Sequence, residues 1–105
     1  MAEIAPPAYL DENLQARFGA LAPDLAAMGT LTALDVDALA RYVLSEYEYL
    51  RASRHALLAL QRGDAAEADK WASVQDRLLR QCMAAGAEFG LTPSSRRARG
   101  LIPPR

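Results

Sequence analysis

Val36, Val43, Leu50 and Leu57 stand seven residues apart, with Leu39, Tyr47 and Leu60 in the adjoining positions. Residues so spaced stay on one side of an α-helix, and the pattern predicts a single apolar seam running for about eight turns. Thr32 followed by Asp35 opens this helix as a capping box: the threonine oxygen can accept an orphan backbone N–H, and the acid suits the positive end of the helix dipole. Gly63 closes it just after Arg62. At about 1.5 Å per residue the helix reaches roughly 45 Å, more than a compact domain of this length needs. Something beyond the helix itself must cover part of that seam.

A second long helix follows, from about Ala65 to Phe89, with Trp71, Val74, Leu78, Cys82, Ala85 and Phe89 recurring at threes and fours. Only Gly63 and Asp64 separate the two, so they fold back as an antiparallel hairpin with facing seams, Leu50 and Trp71 in its core. Upstream, Leu10, Leu14, Phe18 and Leu21 mark an amphipathic helix from about Asp11 that packs across the hairpin. Gly19 and Pro23 limit it. Pro23 then sits in the first turn of a short separate segment, Asp24 to Met28, which Gly29 stops. Pro6 and Pro7 keep the opening residues extended, and residues 1–10 are expected to form a flexible arm.

The fold class expected is therefore all-α, in one domain. Alanine and leucine dominate the apolar residues while β-branched residues are scarce, which leaves little material for strands. A hydrophobic fraction of 51% with 24% charged residues is ordinary for a folding chain. The net charge of −1 excludes a uniformly basic, nucleic-acid-coating body, so any DNA contact must be local. Every acidic residue lies at or before Glu88, and residues 97–105 form a basic tail. No apolar run approaches the ~20 residues that cross a bilayer, so no membrane partner is expected. Cys82 has no second cysteine to pair with and no charged-then-apolar leader opens the chain, which points to a cytosolic setting.

Catalytic chemistry finds no residues to stand on. His55 and Cys82 are one of each where a zinc site needs three or four ligands, and phosphate-binding glycine loops and catalytic carboxylate pairs are absent. No enzyme activity, metal or cofactor is expected. Arg41, Glu48, Arg51, His55 and Arg62 share one flank of the long helix, either as a solvated face or as a stripe facing phosphate or a neighbouring subunit. A helix-turn-helix around Gly29 is disfavoured, because Asp35 and Asp37 would meet the DNA phosphates first. Tyr42 and Tyr49, one heptad apart and off the main seam, read as anchors for a neighbouring subunit.

After Phe89 and Gly90 comes Leu91-Thr92-Pro93-Ser94-Ser95-Arg96, a structural motif in which Thr92 is a ready N-cap and Pro93 a first helical residue for a short last helix. Residues 89 to 96, F-G-L-T-P-S-S-R, resemble the C-terminal signature of a family of phage terminase small subunits. The proline pair, Leu31-Thr32 with Asp35 and Asp37, and the Tyr42–Tyr49 turns extend the resemblance over nearly the whole chain. It implies a helical domain over residues 11–96 that assembles as a ring-forming homo-oligomer, engages double-stranded phage DNA, and hands it to the large terminase subunit, which carries the ATPase and nuclease. The host cytoplasm is the implied location. Arg41, Arg51, Arg62, Arg96, Arg97 and Arg99 are the DNA-binding candidates. Two alternatives stay open: a helical oligomerisation module or small DNA-binding transcriptional regulator, and the equivalent packaging subunit of a gene-transfer agent.

Overall fold

The computed structural model describes residues 4–104; Met1 to Glu3 of the expected arm and Arg105 of the expected tail lie outside the described residues. Four α-helices follow in order, α1 (Glu12–Met28), α2 (Val36–Gln61), α3 (Ala65–Glu88) and α4 (Pro93–Arg99), with one 3-10 turn at Ala33–Asp35 and no strand among the described residues. α2 and α3 form the antiparallel hairpin, α1 lies against the N-terminal half of α2, and α4 folds back at the base of α3.

The helix ends obey local chemistry. Asp11 caps α1 by accepting the Leu14 N–H at 2.9 Å. At the start of α2 the Leu34 N–H donates to Thr32 Oγ1 at 3.3 Å, and the Thr32 N–H donates to the Asp35 carboxylate at 3.0 Å. Asp64 begins α3 by accepting the Glu67 N–H at 3.1 Å.

Two sequence expectations are corrected. First, α1 does not break at Gly19 and Pro23; it runs through both to Met28. An interior proline costs about 3 kcal/mol. Leu14, Phe18, Ala22 and Leu25, however, form one buried stripe that continues across Pro23, and Leu25 alone stabilises by roughly 1.5–3 kcal/mol. Pro23 and Gly19, whose carbonyl loses its partner, both sit on the exposed side where water can serve that oxygen.

Second, the hairpin does not close on the leucine seam. Leu39 and Val43 are buried at 0% and 1% exposure, but Leu50 and Leu57 of the same row are 59% and 55% exposed. The row faces α1, not α3, and past the end of α1 it continues bare, joined by Tyr47, Leu58 and Leu60. α2 meets α3 instead through the small residues Ala52, Ala56 and Ala59, each nearly or fully buried, against Ala68 and Leu78. At 100° per residue Leu50 lies about 160° around the helix from Ala52, and Leu57 about 160° from Ala59. One row can serve only one partner, and α1 takes it first.

Residues 4–10, expected as a free arm, run along the helices: Leu10 is buried, Ile4 packs on the core, and the Tyr9 hydroxyl donates to Asp37 Oδ1 at 2.6 Å. The carboxylate beside it pushes the Tyr9 hydroxyl pKa up.

Candidate nucleic-acid and subunit interfaces

The six arginines singled out from sequence divide into three places. Arg41 lines a shallow groove of about 270 Å³ between the bases of α2 and α3, with Tyr42, Ser45, Gln81, Glu88 and Phe89 on its walls. Arg51 lines a second groove of about 200 Å³ halfway up the hairpin. Arg62 caps the C-terminal end of α2 at the hairpin tip. Arg41 and Arg62 thus stand about 31 Å apart along one helix, with Arg51 near the midpoint.

Arg96 and Arg99 are engaged within the chain. Arg96 NH1 donates to the Gly90 carbonyl at 3.0 Å, and Arg99 NH1 donates to the Glu88 carbonyl. Both serve carbonyls left over at the end of α3, and with Arg97 they also sit in the last turn of α4, where the helix dipole favours cations. Arg97 is exposed.

The stretch from Phe89 to Arg96 forms one structural corner. Phe89 is buried in the core, and Gly90 takes φ 77°. That positive φ favours glycine there, and a Cβ would also make the Leu101 side-chain end, 2.7 Å away, shift. The Leu91 N–H donates to the Gly86 carbonyl at 2.9 Å, closing the end of α3. Thr92 then caps α4: its Oγ1 accepts the Ser95 N–H at 3.1 Å while the Ser95 hydroxyl donates to the Thr92 carbonyl at 2.9 Å.

The aromatic residues are placed differently from their sequence reading. Tyr42 does not face a neighbour; it is 8% exposed between α2 and α3, against Gly86, with its hydroxyl donating to Glu46 Oε2 at 3.2 Å. Burial first, and the Glu46 charge next, hold its pKa far above the usual phenol range. Arg17 of α1 completes the group with a two-pronged bond to the same carboxylate, Nε to Oε1 at 2.7 Å and NH2 to Oε2 at 3.1 Å, and that bond raises the Arg17 pKa further. Trp71 is half-buried on the hairpin flank, stacked on His55 with ring centres 4.4 Å apart, and its Nε1 donates to Glu67 Oε1 at 3.0 Å.

Sequence reasoning missed Arg77, which lines the same groove as Arg51 from the other helix. It lies three residues after Val74, but that this flank of α3 turns toward α2 is known only from the fold. Among the described residues no cluster of three or more His, Cys, Asp or Glu side chains could hold a metal ion, and no helix is long and apolar enough to cross a membrane.

What the fold presents is a helical chain with a bare leucine row on one side of a hairpin and exposed arginines on another. The chain belongs to the phage terminase small subunits, the family described as "Phage terminase, small subunit", whose sequence model matches residues 15–101. Membership supports a role in phage packaging. No curated protein and no solved structure gives a match.

Proposed function

We propose that this protein is the DNA-engaging, non-catalytic subunit of a phage packaging motor: it assembles with copies of itself, holds duplex DNA in the host cytoplasm, and delivers it to the large terminase subunit. The family match over residues 15–101 carries this reading.

Three physical features support the assembly step. Folded chains of 11.4 kDa expose about 5,800 Å² by surface scaling, whereas this protomer exposes 7154 Å². The excess, about 1,400 Å², approaches what a protomer covers with a neighbour on each side at about 800 Å² per contact. The radius of gyration, 15.9 Å, likewise exceeds the roughly 13 Å of a compact chain of this length. The bare row of Tyr47, Leu50, Leu57 and Leu60 lies on that extra length. A ring brings each protomer's arginines into one belt, so weak single contacts add up without base readout.

Native mass spectrometry at micromolar concentration tests assembly, and gel-shift titration with duplex DNA at two salt concentrations tests engagement. A closed oligomer with salt-sensitive, sequence-tolerant binding is expected. A monomer or simple dimer that ignores DNA at low salt would overturn the proposal.

A further inference from the structure

Arg51 on α2 and Arg77 on α3 face one groove of about 200 Å³, whose remaining walls are Glu48, Ala52, Trp71, Val74 and Leu78. We propose that this groove is the phosphate-binding seat of the protein, taking the backbone of duplex DNA between the two guanidinium groups. The inference rests on the DNA-engaging reading above and places it on named residues.

Three observations carry it. The ion pairs among the described residues are Arg17–Glu46 and Arg80–Asp76, and neither Arg51 nor Arg77 enters them. Both side chains are exposed. Arg96 and Arg99 of α4, by contrast, have guanidinium groups committed to backbone carbonyls at Gly90 and Glu88. An arginine already serving a carbonyl offers fewer donors to an incoming phosphate; an arginine without such a bond keeps its full fork.

The groove is also braced. Trp71 is tied at Nε1 to Glu67 and stacked on His55, so the indole forms a fixed wall beside the two cations. Fixed surroundings reduce the side-chain ordering that binding must supply. Glu48 is the one acid lining this groove, facing the two guanidiniums.

The wider layout selects duplex DNA over an acidic peptide. Arg41 and Arg62 lie on the same flank of α2 about 15 Å and 16 Å from Arg51, so the row spans about 31 Å of straight rod. One turn of B-DNA rises about 34 Å. Cations set about 15 Å apart along one helix offer separate contacts to a polyanion that presents phosphates along its whole length.

The test uses the full-length protein and a 30-base-pair duplex of mixed sequence, with affinity measured by fluorescence anisotropy from low to physiological salt. Each phosphate contact contributes about 0.9 to the slope of log affinity against log salt. Arg51→Gln with Arg77→Gln should therefore flatten the slope by about 1.8 per engaged protomer, whereas Arg80→Gln, whose guanidinium already pairs with Asp76, should leave it nearly unchanged. Glu48→Gln should tighten binding. An unchanged slope in the double variant, while the unaltered protein binds DNA, overturns this seat and leaves the packaging reading standing. Failure of the unaltered protein to bind DNA at any salt would instead remove the reading on which the seat rests. Poly-L-glutamate of matched charge displacing the duplex at equal concentration would overturn the choice of DNA as occupant.

Discussion

Tyr42 carries a proton that the surrounding structure has strong reason to keep. Its hydroxyl donates to Glu46, which already accepts two bonds from Arg17, so one carboxylate joins α1, the middle of α2 and a buried phenol. Ionising the phenol would place a second negative charge beside Glu46 in a part-buried site. The folded pKa is therefore raised above the ordinary value of 10.0 by burial first and Glu46 next. The sign follows directly: below about pH 10 the phenol is protonated in both folded and unfolded chains, and above it the unfolded chain loses the proton first. Stability is full through neutral pH and falls as pH rises beyond 10. Tyr42→Phe should flatten this alkaline decline while costing about 1 kcal/mol at pH 7 for the lost hydrogen bond. Urea denaturation midpoints at intervals from pH 7 to 11 check both; an equally steep decline in the variant would assign it to other groups.

Between α2 and α3 the packing depends on smallness. Ala56 is 9% exposed and its neighbours Ala52 and Ala59 at most 1%, so the helices approach along a strip with no room for a larger side chain. Ala56→Leu should destabilise by about 1–3 kcal/mol through overpacking. Leu57→Ala, one residue on but 55% exposed, should cost well under 1 kcal/mol at concentrations below assembly. Thermal melts of both variants decide the matter, and the reverse order would return Leu57 to the hairpin seam.

This pair also shows what was legible in the sequence. Periodicity states which residues share a row, and glycine, proline and capping residues state where a helix ends, so both long helices, the Gly63 turn and the capping box at Thr32 were readable. Periodicity does not state which partner covers a row. Leucines outweigh alanines in any hydrophobic pattern, and the alanine strip that receives α3 carried no signal against them. Pro23 misled for a related reason: its local cost was legible, whereas the burial of Leu25 that offsets it depends on α2. At the candidate sites the arginines of α2 were readable as a flank. Arg77 required knowing which side of α3 faces α2, and the use of Arg96 and Arg99 required knowing that α4 folds back on the end of α3.

The molecule as a whole measures 52 × 33 × 22 Å, and its long dimension follows from a hairpin that outruns the single helix packed against it. α1 covers Val36, Leu39 and Val43; beyond it the same row offers Leu50 and Leu57 to solvent with Tyr47 and Leu60 alongside. A row whose first half is closed by a helix of the same chain is suited in its second half to an apolar surface of the same kind, and a neighbouring copy provides one in every assembly. If copies of this chain cover it, charges placed there should abolish assembly and spare the fold. Leu50→Glu with Leu57→Glu puts two carboxylates on positions already more than half exposed, which a lone protomer tolerates within about 0.5 kcal/mol per site. Inside a contact between copies, each would be an unpaired buried charge costing several kcal/mol, repeated at every junction of a closed ring. The expected result is a well-folded monomer: unchanged helical circular dichroism and melting at low concentration, with the oligomer mass lost in native mass spectrometry. DNA affinity should fall with it, because single protomers lose the summed contacts of the belt. Retention of the full oligomer by the double variant would show that another face joins the subunits, and the bare row would then be available to a different protein, with the large terminase subunit the first to test by co-purification.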